Sequence, residues 1–178
     1  MVSTATEDPQ PSLILPKAAI IIDSKFPSQQ ELASQLTSAL HFTSSCEVIN
    51  LSDINRLDLH EVVCLFLPEL ERTVLHGITP QEFSAIQRLA SSVSNLIWLA
   101  KTDDTKLVNP TEGMITGLLR SIQTEFDEKG FVSISIQEPI NSKFIVQSIS
   151  LVLKDMLSSS SKKTRTRIPA NWQSTLHQ

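Results

Sequence analysis

Glu69 and Glu71 flank a single leucine just beyond the apolar run EVVCLFL, and Asp103-Asp104 follows a second such run, NLIWLA. Paired carboxylates at the ends of buried strands can move protons or hold a hard cation. Lys25, just before a helix start at Ser28, is a third candidate, because an ammonium beside a helix N-terminus attracts an anion. Each arrangement also has a plainer origin: a polar loop after a strand carries acids for solubility alone, and a capped turn needs no ligand. His41, His60, His76 and His177 are scattered, with no H-x-x-x-H and no Cys/His ligand spacing, so no metal site is expected. There is no G-x-S-x-G and no Walker loop.

Reductase chemistry is tested by the same reasoning. A short-chain reductase needs a tyrosine as acid and a lysine four residues later that lowers its pKa. This chain has no tyrosine, and the helix expected over 110–128 has no lysine. Dinucleotide binding needs glycines between the first strand and helix, so that backbone N–H groups approach pyrophosphate closely. Here the turn reads Asp23-Ser24-Lys25-Phe26-Pro27-Ser28, with a side chain at every position, and Pro27 removes a donor. The four glycines, Gly77, Gly113, Gly117 and Gly130, all lie elsewhere. No catalytic residue and no bound cofactor are expected.

The elements that would position these groups follow from pattern. Strands are expected at Ala18–Asp23, Cys46–Leu51, Glu61–Leu67, Asn95–Ala100 and Phe131–Ile136. The run at 61–67 is apolar on both faces, as a central parallel strand is; the last alternates, as an edge strand does. Ser28 and Glu31 match a capping box ahead of a Leu32, Leu36, Leu40 stripe. Thr79, Pro80 and Glu82 repeat the signature ahead of Phe83, Ile86, Leu89, Ala90 and Val93. Asn109, Pro110 and Glu112 start a helix ending near Lys129-Gly130, and Asn141–Leu157 is a final amphipathic helix. Residues 52–60 hold only an irregular turn. The order β-α-β-β-α-β-α-β-α describes a truncated, Rossmann-like, doubly wound α/β sheet of about five parallel strands, with helices on both faces and one crossover helix lost or shortened.

Composition agrees with one such domain. The chain has 178 residues, 40% hydrophobic and 19% charged, and its net charge of -4 implies neither a nucleic-acid nor a membrane-surface partner. No apolar run approaches the roughly 20 residues of a membrane span, and the polar start is no signal peptide. Cys46 and Cys64 read as core thiols in a reducing compartment, consistent with a cytoplasmic protein. Residues 1–16 read as a flexible lead-in, 17–157 as the folded domain and 158–178 as a flexible basic tail containing Trp172.

The stretch LVNPTEGMITGLLRSIQTEFDEKGFVSISI resembles the structural subdomain of the ketoreductase region in highly reducing fungal polyketide synthases. Asn109, Pro110, Glu112, Thr116, Gly117, Leu118, Arg120 and Glu125 match its helix pattern, followed by the strand at Phe131–Ile136. Upstream, Glu82, Phe83, Ile86 and Leu89, and a strand containing Trp98, match as well, so the resemblance spans about residues 17–157. It implies a non-catalytic unit that has lost cofactor binding and braces the catalytic ketoreductase half, in secondary metabolism. Whether the unit is free-standing, a remnant, excised or acting in trans stays open.

The 110–128 helix is then the expected partner surface. Met114, Ile115, Leu118, Leu119, Ile122 and Phe126 form one broad apolar side. The other side holds Gly113, Gly117, Ser121 and Thr124, with Arg120 at its margin. Small residues there serve either close contact with a neighbouring helix of the same chain or a tight start to this helix, or else docking against a ketoreductase half or a second copy. The competing reading is an independent small-molecule enzyme or binder using Ser24, Lys25, Glu69, Lys101, Asp103 and Asp104 at the carboxyl edge of the sheet; a third is a folded remnant without activity.

Overall fold

In the computed structural model, residues 17–40, 45–102, 110–137 and 142–160 are described. Asp103, Asp104, Asn109, His41, His177 and Trp172, all singled out above, lie outside them. Five strands, β1 (Ala18–Ile22), β2 (Cys46–Asn50), β3 (Val63–Phe66), β4 (Asn95–Thr102) and β5 (Gly130–Gln137), form one sheet. Their order is β2-β1-β3-β4-β5 and every pairing is parallel. The chain adds β2 on one side of β1 and then β3, β4 and β5 on the other, so the carboxyl ends of β1 and β3 are the switch point of the doubly wound fold.

Every residue of β1 and β3 is buried, because helices cover both faces of these central strands. β5 alternates as an edge strand does, with Phe131 and Ile136 buried and Ser133 and Ser135 exposed. Two helices, α1 (Pro27–Ala39) and α4 (Ser142–Ser160), lie on one face; α2 (Pro80–Ser92) and α3 (Pro110–Glu125) lie on the other. The crossover from β2 to β3 is only a 3-10 segment, Leu51–Arg56, whose Leu51 and Ile54 bury against the α2 side. The shortened crossover expected from the sequence is therefore this segment. Phe66 and Trp98, neighbours in register across β3 and β4, stack at 4.0 Å and form the largest buried pair.

Local expectations differ in three places. Ser28 does not cap α1: the cap lies two residues earlier, at Phe26, with Pro27 at the first helical position, where a missing N–H loses no bond. The Ser28 hydroxyl instead donates to Glu71. The box at Thr79 and Glu82 forms as expected. α3 ends at Glu125 rather than near Gly130, and Gly130 has no left-handed backbone, so it opens β5 instead of capping the helix. A side chain there would press on Asn95 and on the Met156 methyl, 2.5 and 2.7 Å from where its Cβ would stand. Finally, Phe83 and Met114 are 51% and 43% exposed, so the apolar stripes of α2 and α3 are narrower than their sequence pattern.

Candidate functional site

The switch point is filled by the protein's own side chains. Asp23 ends β1 and is buried; its carboxylate accepts from the Arg72 Nε at 3.0 Å and from the Lys25 backbone N–H at 3.2 Å. Arg72 follows the 3-10 turn Pro68–Leu70, and its second arm donates to Glu82. Glu82 in turn accepts from the Thr79 N–H and hydroxyl, both at 2.9 Å, at the start of α2. One guanidinium thus ties the end of β1 to the N-terminus of α2. Burial opposes the Arg72 charge, but bonding to Asp23 and Glu82 outweighs it and raises its pKa. Burial likewise opposes the Glu82 charge, and the Thr79 bonds with the Arg72 charge outweigh it, lowering its pKa.

Several backbone donors of the β1–α1 turn are also engaged. The Asp23 N–H donates to Gln29 Oε1 at 2.8 Å, the Phe26 N–H to the Asp23 carbonyl at 3.0 Å, and the Gln29 N–H to the Phe26 carbonyl at 3.1 Å. With the Lys25 N–H on the Asp23 carboxylate, four amides between Asp23 and Gln29 have acceptors within this segment. Gln29 is itself buried, and its Nε2 finds no acceptor among the described residues.

The sequence candidates are only partly brought together. Ser24 accepts from Asn50 Nδ2, and Lys25 is exposed. Glu71 is exposed and accepts from Ser28. Glu69 is 4% exposed, with neither carboxyl oxygen in hydrogen-bond geometry with a partner among the described residues. Burial pushes its pKa up to about 7, against the pull of the Val74 amide and the Arg72 charge. Glu69 and Glu71 therefore do not act as a pair: one faces inward and the other solvent. Lys101 stands at the far end of β4. The cavity here, bounded by Ser28, Gln29, Glu31, Leu70, Glu71 and Ser142, measures about 190 Å³, below the roughly 300 Å³ at which small-molecule sites begin. No group of three or more potential metal ligands occurs among the described residues. His60 and His76 are exposed. Cys64 is buried and Cys46 half-buried; burial raises both thiol pKa values. No described helix is long and apolar enough to cross a membrane.

The cluster of Asp23, Gln29, Arg72 and Glu82 was not legible from motif spacing. Its one signal is an acid closing an apolar strand where a phosphate-binding fold would place glycine. On α3, by contrast, Gly113, Gly117, Arg120, Ser121 and Thr124 are all exposed. A Cβ on Gly113 or Gly117 would meet nothing within 4 Å. Close contact with a neighbouring helix, the plainer explanation of these glycines, does not occur among the described residues. Ser121 and Thr124 turn their hydroxyls back to the carbonyls of Gly117 and Arg120.

Comparison with known proteins gives the context. The family of HRPKS sdrA-like, NAD(P)-binding Rossmann-fold domains matches residues 14–176. The reducing polyketide synthase pksF of Alternaria solani is 26% identical over 157 residues, 83% of this chain and 7% of that protein. The highly reducing polyketide synthase NEC1 of Pyricularia oryzae is 31% identical over 126 residues, 70% of this chain and 5% of that protein. A third relative, the highly reducing polyketide synthase 40 of Fusarium mangiferae, is 32% identical over 114 residues, 62% of this chain and 5% of that protein. The chain thus spans only 5–7% of the length of these relatives.

The family description implies a nicotinamide dinucleotide. The residues present do not fit its pyrophosphate: residues 23–28 contain no glycine that would let backbone approach closely, Pro27 has no N–H, and the Lys25 and Phe26 amides are already bonded to Asp23. The all-parallel sheet, its switch point at β1 and β3 and a family match over 163 residues agree on one assignment: this chain belongs to the HRPKS sdrA-like, NAD(P)-binding Rossmann-fold domains of reducing polyketide synthases.

Proposed function

We propose that this domain is a non-catalytic, structural unit of a reducing polyketide synthase, which binds no nicotinamide cofactor and braces the catalytic ketoreductase half. The observation that carries the reading is the self-filled switch point. Asp23 and Glu82 share Arg72 there, and Gln29 takes the first turn amide, so the charges that could meet a phosphate are already paired with one another. An incoming phosphate would have to displace a buried carboxylate from its guanidinium, at a cost of several kcal/mol.

The docking face of this proposal is α3. Two glycines inside an exposed helix cost roughly 0.5–1 kcal/mol each relative to alanine. Nothing within the described domain uses the space they leave. Met114 is exposed beside them. A partner helix that approaches closely along Gly113, Gly117, Ser121 and Thr124 supplies the missing reason.

Calorimetric titration with NADPH and with NADH is expected to give no binding; a dissociation constant in the low micromolar range overturns the reading. Gly117→Trp is expected to abolish association with a ketoreductase domain of a related synthase, scored by pull-down, while circular dichroism and melting point stay close to those of the native chain. Normal association of Gly117→Trp would place the interface elsewhere.

A further inference from the structure

The sheet ends at β5, whose one strand partner among the described residues is β4. Along residues 130–136 the outer row of backbone N–H and C=O groups therefore has no ladder partner there. Such edges are normally blunted by charge, proline or a bulge. β5 reads GFVSISIQ, with no charge and no proline, and its register with β4 runs unbroken from Gly130 to Gln137. The opposite edge is shorter: β2 has five residues and carries Glu47. Beside the β5 edge runs a groove of about 470 Å³, lined by Leu119, Arg120 and Thr124 of α3 and by Phe131, Val132 and Ser133. Leu119 and Phe131 form its apolar floor, and Arg120 and Thr124 belong to the α3 docking face.

We infer that the partner domain adds one extended, uncharged strand to the β5 edge and sets an apolar side chain of that strand into the groove between α3 and β5. This rests on the docking reading above and specifies its chemistry. Two other occupants fit less well. β4–α3–β5 crosses on the α2 side of the sheet, whereas α4 follows β5 on the α1 side. A further parallel strand beyond β5 reached through α4 would close a left-handed crossover, which parallel sheets almost never contain. A second copy paired edge to edge along eight residues would bury far less than the roughly 800 Å² per partner of a stable interface. A domain of the same chain escapes that requirement, because a linker holds it at an effective concentration of about millimolar. In the relatives, 93–95% of the chain lies outside the matching segment.

Hydrogen exchange of the full chain tests this, alone and with about millimolar separately produced ketoreductase domain of a related synthase, the effective concentration a linker would supply. In the free chain the outward amides of β5 are expected to exchange at least tenfold faster than those bonded to β4, at every protein concentration. On adding the ketoreductase domain, both α3 and the outward β5 amides should slow at least tenfold. Ser133→Lys, a charge on the exposed side of the edge, should weaken the complex at least tenfold without lowering the melting point. Protection of α3 with β5 unchanged overturns the strand addition and leaves the docking reading intact. Absence of any complex overturns both. Slow outward amides in the free chain overturn it too: if independent of concentration, residues of the same chain cover the edge, and if concentration-dependent, a second copy does.

Discussion

Replacing Glu69 by glutamine is expected to stabilise the protein above pH 7 and to do little near pH 4. The carboxyl is 4% exposed, and burial holds its pKa at about 7 against an ordinary 4.5. A folded-state pKa above the unfolded one means that the folded protein binds the proton more tightly. Stability therefore falls as pH rises from about 4.5 to about 7, and stays low above that. At about 1.4 kcal/mol per pH unit the penalty is about 1 kcal/mol at pH 5 and about 3 kcal/mol at pH 8. Glutamine matches the protonated acid in shape and carries no charge, so it removes the penalty without opening a cavity. Urea unfolding of both proteins at pH 5 and pH 8 measures it. The advantage of Glu69→Gln should grow by about 2 kcal/mol between those values, and the melting point at pH 8 should rise by roughly 6–12 °C. Glu82, whose pKa is lowered, contributes stability that is lost only as pH falls below the ordinary carboxylate range. An advantage equal at the two pH values, or none at all, would refute the claim that Glu69 ionises inside the core.

Arg72→Met should destabilise the fold by about 2 kcal/mol in urea unfolding at pH 7, because it leaves Asp23 buried without its guanidinium; Arg72→Met with Asp23→Asn should recover part of the loss. Gly113→Ala should raise stability by about 0.5–1 kcal/mol in the isolated chain, since the added methyl meets open space within a helix; a loss would show that the α3 face is covered.

The elements were legible where one local preference dominates. Central strands had to be apolar throughout, so AAIII and VCLF announced β1 and β3. Thr79 with Glu82 announced α2, because a capping box needs only contacts within one turn. Ser28 and Glu31 carry the same letters, but Ser28 found a longer-range acceptor in Glu71 and Pro27 set the helix start. The small-residue face of α3 was readable as a pattern, while its exposure was not, since a helix pattern does not say what stands opposite each face. The sequence by itself determined the doubly wound class, the lack of a glycine cradle and the lack of a reductase tyrosine, since these depend on residue type and order. Only the tertiary structure decided that Asp23, Arg72 and Glu82 meet at the switch point, that Glu69 turns inward from Glu71, and that β5 pairs on one side only among the described residues. Those outcomes join residues up to 59 positions apart in the chain, and such contacts are set by how the helices and strands pack rather than by any preference of the segments that carry them.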